Sequence, residues 1–226
     1  MYMTEDGAFI LAQGPNSSRP VPMRSKGHFY GRLVVDDETG PGRVLEVESH
    51  TEMCVALVLL ARPEVVRLES QVRFAWRDPD GAAREHHFDF RVQLADGSRI
   101  AVMVKPSRKL ADSAFMGGIR DIAQQVGPQF ADRVILMTDQ DWDPVGLHNA
   151  ELMHSRRHPD PEADEAGLRV VEGLPGRVRV GDIMEAAGLG PEGLGAVARL
   201  IRNGGLELAF HERISPAASV CPGPAA

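Results

Sequence analysis

The sequence lacks any apolar stretch long enough to cross a membrane, and its 226 residues include only two cysteines and three lysines. A membrane-spanning helix needs about 20 consecutive apolar residues, whereas the longest apolar run covers residues 53–61. The amino-terminal segment also lacks the basic-then-apolar order of a secretory signal. These absences predict a soluble, cytoplasmic protein without a membrane partner.

The two cysteines, Cys54 and Cys221, are too few for a disulfide framework. Neither has a second cysteine or histidine at the spacing of a zinc finger. We therefore expect both to be reduced thiols.

The formal net charge of -7 argues against DNA binding by bulk electrostatics, because phosphate contacts need lysine and arginine. A local basic face remains compatible with this charge. Residues 7–35 contain no acidic side chain, and their cations are Arg19, Arg24, Lys26 and Arg32. This segment is either a DNA-binding face or a solvated amino-terminal arm, and the sequence leaves both interpretations open.

Hydrophobic periodicity predicts a mixed α/β domain over residues 1–160, with a sheet of about five strands. Strands are expected at 31–36, 43–48, 65–69, 72–77, 85–94, 98–105 and 133–138. Helices are expected at 50–61, at 108–126 with a break at Gly117 and Gly118, and at 145–157.

The Pro-rich, acidic segment 158–165 is typical of a linker. Beyond it, residues 166–226 predict a small second domain with a flexible tail. Helical patterns at 180–187 and 192–203 precede a short strand at 206–210, which is the outline of a winged helix-turn-helix. The second helix would present Arg199 and Arg202 to DNA.

One predicted hairpin brings together residues that could carry chemistry. A three-residue loop ending in Gly97 pairs Leu94 with Ser98 and keeps the apolar side chains of both strands on one side. Asp89 and Lys105 then become diagonal neighbours on the other side, about 4–7 Å apart. They form either a surface ion pair or a metal-binding carboxylate beside a lysine that orients water.

The order of Glu52, Asp89 and Lys105 resembles the PD-(D/E)xK nuclease superfamily. The stretches VESHTE (47–52), RPEVVRLESQVRFAW (62–76), HHFDFRV (86–92) and VMVKP (102–106) are similar to the TnsA-type endonuclease subunit of heteromeric transposases. The similarity covers about residues 24–140. It implies a restriction-endonuclease-like mixed sheet flanked by helices, and Mg²⁺- or Mn²⁺-dependent cleavage of DNA at transposon ends beside a transposase partner.

The resemblance also implies a role for each matching residue. Glu52, Asp89 and Lys105 would be catalytic, and Glu52, Asp89 and the backbone of Val104 would hold the metal. Met103 and Gln71 would lie around them. Of the two histidines near Asp89, His86 and His87, alternation along the strand places His87 on the face of Asp89, where it is either an acid/base group or a plain surface residue. Met103 stands two residues before the lysine, at a position that is acidic in the superfamily and can be Gln in the TnsA type. A thioether is a poor ligand for Mg²⁺, which prefers oxygen.

Glu52 also fits a purely structural role. In Ser49-His50-Thr51-Glu52 the serine can cap the helix while the glutamate reaches back to it, which is a capping box. The sequence does not decide between the cap and the metal ligand.

Two other motifs carry less weight. Residues 188–193 fit GxGxxG but follow a helix rather than a strand, so we expect a turn and no nucleotide cofactor. His154 and His158 lie four apart beside acidic residues, which indicates a solvated helix end rather than a metal site.

Two functions from different classes therefore remain. One is a Mg²⁺-dependent endodeoxyribonuclease. The other is a catalytically degenerate nuclease-fold protein that binds DNA or a transposase partner without cleaving, with Met103 marking the lost site.

Overall fold

The strands of the amino-terminal part form separate sheets in the computed structural model, which describes residues 2–3, 9–15, 17, 29–37, 40–174 and 176–224. The elements of this part, in chain order, are β1 (Tyr2–Met3), β2 (Phe9–Ile10), β3 (Gly31–Asp37), β4 (Gly40–Val47), α1 (His50–Leu60), β5 (Val65–Arg77), β6 (Ala83–Leu94), β7 (Arg99–Val104), a 3₁₀ helix (Ser107–Ala111), α2 (Ser113–Ala123) and β8 (Arg133–Met137).

The main sheet has four strands in the order β5-β6-β7-β8. Strands β5, β6 and β7 are antiparallel, and β8 runs parallel to β7. Strands β3 and β4 form a second, two-stranded antiparallel sheet. The prediction of one sheet of about five strands is therefore wrong in detail, whereas a mixed sheet flanked by helices is confirmed.

One face of the main sheet carries an apolar cluster beneath α2. It contains the fully buried Phe88, Ala101 and Met103, with Ile122 of α2 and the ring of Phe130 packed against them. Burial of this kind contributes about 25 cal/mol for each Å² of apolar surface removed from water. It fixes α2 and the hairpin of β6 and β7 in one arrangement.

Two predicted boundaries in this part were wrong. The stretches 65–69 and 72–77 form a single strand, β5, although Gln71 within it has a φ of 54°. The helix expected over 108–126 starts only after Asp112, whose carboxylate accepts the N–H groups of Ala114 and Phe115. Gly117 and Gly118 lie inside α2 and do not interrupt it.

The rest of the chain continues with α3 (Pro144–Ser155), α4 (Pro161–Glu172), β9 (Val178–Arg179), α5 (Val180–Ala186), α6 (Gly193–Arg202), β10 (Leu206–Leu208) and β11 (Ser219–Pro222). By contacts the chain divides into one unit of residues 1–56 and 64–141 and another of residues 57–63 and 142–226. The second unit thus begins before α3, earlier than the linker predicted at 158–165.

The second unit has its own core and its own sheet. Val171, Val180, Ile183, Val197 and Val220 are buried together. Strand β11 pairs antiparallel with both β9 and β10, which gives the order β10-β11-β9.

Two sequence predictions for this unit need correction. The supposed linker contains the start of α4, which Asp160 caps and Pro161 opens, because proline is favoured in the first turn of a helix. The supposed flexible tail contains β11, and its Val220 is fully buried.

Both cysteines are free thiols, as expected. None of the helices in the described ranges combines the length and the apolar character that a membrane span requires.

Candidate active site

The turn between β6 and β7 sets the register of the candidate site. The Leu94 N–H donates to the Ser98 carbonyl at 2.9 Å, and Gly97 has a φ of 84°, in the left-handed region that favours glycine. The ladder runs from Gln93 opposite Arg99 to Phe90 opposite Val102. The predicted loop and register are confirmed.

The alternation of side chains breaks at Asp89. Phe88 packs with Ala101 and Met103 beneath α2. Phe90 instead pairs with Val102, and Val102 must point away from that face because it lies between Ala101 and Met103. Phe88 and Phe90 therefore lie on opposite faces, and the prediction that they share one is wrong.

The cause of this break lies in both strands. Ser70 pairs with Phe90 and Val72 with Phe88, so Gln71 and Asp89 occupy the register position between these pairs. Gln71 is 1% exposed and has its φ in the left-handed region, which non-glycine residues rarely adopt. Irregularities of this kind re-aim a side chain and are frequent beside active sites.

Asp89 uses one carboxylate oxygen for two contacts. Its Oδ2 accepts the Val104 N–H at 2.7 Å and the Lys105 ammonium at 3.1 Å. The two side chains meet more closely than the predicted 4–7 Å. Among the described residues, none donates a hydrogen bond to Oδ1.

Glu52 forms the predicted capping box, except that one of its backbone partners differs from the expected one. The Ser49 hydroxyl accepts the Glu52 N–H at 3.1 Å and donates to Oε1 at 2.8 Å. Oε2 accepts the N–H of Glu48, one residue before the expected Ser49, at 2.8 Å. The structural role of Glu52 is thereby confirmed, and both of its oxygens take part.

The negative charge of Asp89 also acts on the Glu52 carboxyl. Burial, followed by the negative charge of Asp89, raises the pKa of Glu52 to about 7. A carboxyl whose ionisation is opposed by a second carboxylate lies in a negative potential. A bound cation would relieve that potential.

His86 is a residue that the sequence reasoning missed. Burial lowers the pKa of His86 to about 4, although the charge of Asp89 opposes the shift, and the charge of Lys105 adds to it. Its ring stands edge-on to Phe88, with centroids 4.8 Å apart, and its Nε2 is buried without a hydrogen-bond partner among the described residues. The sequence favoured His87, because uninterrupted alternation would place His87 on the face of Asp89; His87 lies opposite Arg73.

The remaining predicted neighbours divide into two groups. Gln71 and Val104 lie beside Asp89, and the contact of Val104 is made through its N–H. The side chain of Met103 instead packs fully buried in the aromatic cluster beneath α2. An acidic residue at position 103 would therefore enter the apolar core.

The predicted DNA-binding cations that the structure describes, Arg32, Arg199 and Arg202, contact other parts of the protein. Arg24 and Lys26 lie outside the described residues. Arg32 pairs with Glu46 at 3.0 Å and stacks over the ring of Tyr30.

The two arginines of α6 are not presented as predicted. Arg199 has a side chain that is only 12% exposed, and it pairs with Asp164 at 2.7 Å and donates to the Arg156 carbonyl. Arg202 donates to the Leu60 carbonyl at 3.3 Å.

The oxygen ligands at the site are of the kind that Mg²⁺ prefers, although there are few of them. The ion is commonly held by one or two carboxylates, with substrate phosphates and water completing its shell. Glu52 and Asp89 supply two carboxylates, and Asp89 Oδ1 is not used by a described donor. Within the described part of the chain, no group of three or more histidine, cysteine, aspartate or glutamate side chains could hold a metal, at His154 and His158 or elsewhere.

Neither a scan of the chain against protein-family models nor a search of curated proteins finds a match.

Proposed function

We propose that this protein is a Mg²⁺-dependent DNA endonuclease that resembles the TnsA-type subunit of a heteromeric transposase. The observation that carries the proposal is the meeting of three separate sequence segments at the carboxyl end of β7, beside the middle of β6. The Lys105 ammonium contacts Asp89, and the pKa of Glu52 is raised by burial and then by the charge of Asp89.

The architecture supports the same proposal. A mixed four-stranded sheet flanked by helices agrees with a restriction-endonuclease-like domain. In the second unit, helices α5 and α6 are followed by β10 and β11, which agrees with a winged helix-turn-helix. We also propose that the protein is cytoplasmic.

Each residue would have a distinct task in hydrolysing a phosphodiester. Asp89 and Glu52 would hold the ion, which when bound neutralises phosphate charge and lowers the pKa of water. Lys105 would direct its compact charge at the attacking water or at a phosphoryl oxygen. A water oxygen would bond to phosphorus as the water gives up a proton, one bridging P–O bond would break, and the leaving oxygen would take a proton from solvent.

Nicking of supercoiled plasmid with Mg²⁺ or Mn²⁺, with the chain alone and with its transposase partner, tests this proposal. We expect Asp89→Asn and Lys105→Ala each to abolish nicking. Thermal stabilisation by the cation should disappear in Asp89→Asn and persist in Lys105→Ala, because lysine does not bind the ion.

The hairpin of β5 and β6 offers matched controls. Asp78, in the turn after β5, and Arg84 of β6 form an ion pair of 2.8 Å apart from the site. Asp78→Asn and Arg84→Ala should leave both nicking and the cation effect unchanged. Equal losses in control and site variants would mean that the activity does not arise here.

A second function is favoured by particular contacts. Both oxygens of Glu52 and one of Asp89 already serve the backbone and neighbouring side chains. The position that is acidic in the superfamily is part of the apolar core. Absence of nicking by wild type with either cation and with the partner present would assign the chain to a nuclease-fold protein that only binds DNA or that partner.

A further inference from the structure

The 3₁₀ helix Ser107–Ala111 is held in place immediately after Lys105. The Lys105 N–H donates to the Met137 carbonyl at 2.9 Å. The backbone N–H and hydroxyl of Ser107 donate to the two carboxylate oxygens of Asp139 at 2.6 Å and 2.9 Å. The helix is thereby fixed at the carboxyl ends of β7 and β8, beside the candidate site.

Two cations of this helix are exposed to solvent without an ion pair. Among the described residues, Arg108 and Lys109 have no carboxylate oxygen within 4.0 Å. The carboxylate of Asp139 is occupied by Ser107, and the Lys109 ammonium lies 5.2 Å from the centre of the Phe115 ring.

Other arginines of the chain behave differently. Many pair with carboxylates: Arg32, Arg67, Arg73, Arg84, Arg91, Arg156, Arg169, Arg179 and Arg199. In a chain with a net charge of -7, the 3₁₀ helix therefore presents two exposed cations that form no ion pair with a described carboxylate.

We propose that Arg108 and Lys109 each bind a phosphate of the DNA backbone, close to the phosphate that faces Lys105. This inference rests on the proposed function. Arg108 and Lys109 follow Lys105 by only three and four residues, so their Cα atoms lie within about 14 Å of that of Lys105. Successive phosphates of one strand advance about 3.4 Å along the duplex axis.

This surface would anchor the substrate while Lys105 acts on it. Phosphate contacts fix the register of a protein on DNA but read no sequence. The two cations therefore position the scissile bond and leave the choice of target to other parts of the chain or to a partner.

The test is equilibrium binding of the full chain to a short fluorescent duplex in EDTA, titrated with salt. The double variant Arg108→Gln with Lys109→Gln should bind about tenfold more weakly at moderate salt. The slope of log affinity against log salt should fall by about 1.8, since each phosphate contact contributes about 0.9. Because both side chains are exposed, the thermal midpoint should be unchanged.

A control variant removes the same charge elsewhere. Arg169→Gln with Arg179→Gln breaks two exposed ion pairs in the second unit, so the salt slope should match that of wild type. The double variant Arg108→Lys with Lys109→Arg keeps both positive charges, so it should bind the duplex as wild type does.

The outcomes separate this inference from the proposed function. A salt slope identical in wild type and the double variant, or no measurable binding by wild type, overturns the inference even when nicking is observed. A reduced slope without any nicking supports the inference and removes the endonuclease. A loss confined to binding of the transposase partner assigns the surface to that protein and overturns the inference as well.

Discussion

Gln71 occupies the register position opposite Asp89, and it is the only non-glycine residue of the described chain with a positive φ. The strained backbone and the proposed metal ligand thus lie at the same irregularity of β5 and β6. The side chains before and after this point face opposite sides of the sheet, and Asp89 is thereby directed at the Val104 N–H and Lys105.

The first prediction concerns this strain. The left-handed conformation costs an ordinary residue about 1–2 kcal/mol, and it is worse for β-branched side chains. Gln71→Val should lower the free energy of unfolding in urea by about 2 kcal/mol or more. Nicking should fall with it, because Asp89 would shift.

Arg73→Val is the matched control for Gln71→Val. It places valine in the same strand at an exposed position with ordinary backbone, so stability should change by less than about 0.5 kcal/mol. Equal effects at 71 and 73 would show that the conformation of Gln71 carries no special cost.

A second prediction follows from Glu52. Its pKa is raised from 4.5 to about 7 by burial and by Asp89, so between these values the folded protein holds more protons than the unfolded chain. Stability therefore falls as pH rises through this window, by up to about 3 kcal/mol at 1.36 kcal/mol per pKa unit. Below pH 4.5 Glu52 is protonated in both the folded and the unfolded state, so this loss of stability is absent.

The contribution of Glu52 is measured as a difference. Other carboxyls also titrate, so the free energy of unfolding of wild type is compared with that of Glu52→Gln across the pH range. The stability of the variant relative to wild type should increase as pH rises from 4.5 to 7. Parallel curves would contradict the raised pKa.

The third prediction concerns Met103. If this position faced the ion, Met103→Glu would restore a ligand and enhance nicking. Because its side chain is fully buried among Phe88, Ile122 and Phe130, we expect destabilisation instead, by about 3 kcal/mol or more for an unpaired polar group. Met103→Leu should cost less than about 1.5 kcal/mol. Enhanced nicking by a stable Met103→Glu protein would show that the side chain can turn to the site.

The fourth prediction concerns Arg199. Its guanidinium is largely buried against Asp164 and the Arg156 carbonyl, so Arg199→Ala leaves both acceptors without their donor. We expect a loss of about 1–3 kcal/mol in stability. Arg169→Ala removes an exposed pair with Glu165 and should cost less than about 1 kcal/mol. Unchanged stability of Arg199→Ala combined with weaker DNA binding would restore the predicted role in DNA recognition.

Local patterns were enough to predict most elements and the pairing of Asp89 with Lys105. Alternating apolar residues on both sides of a glycine turn set the register, because a slip by one residue would expose buried side chains. The serine and glutamate of the capping box lie within one helical turn, so that contact was also predictable.

The errors arose where distant segments meet. The alternation of side chains along a strand predicts that Phe88 and Phe90 share one face. Nothing in the sequence of β6 indicates the break at Asp89, because it occurs beside the unusual backbone conformation of Gln71 on β5. Likewise, β11 has no strong pattern, and it forms because β9 and β10 both offer unpaired edges.

The sequence by itself determined the mixed α/β class and the hairpin register, and it contained the capping box of α1 as one of two roles for Glu52, because each depends on residues close together in the chain. Only the tertiary structure decided that Met103 belongs to the core, that Arg199 forms an ion pair, and that burial together with the charge of Asp89 raises the pKa of Glu52. Burial and electrostatic potential sum over all neighbours in space, and a linear pattern does not contain that sum.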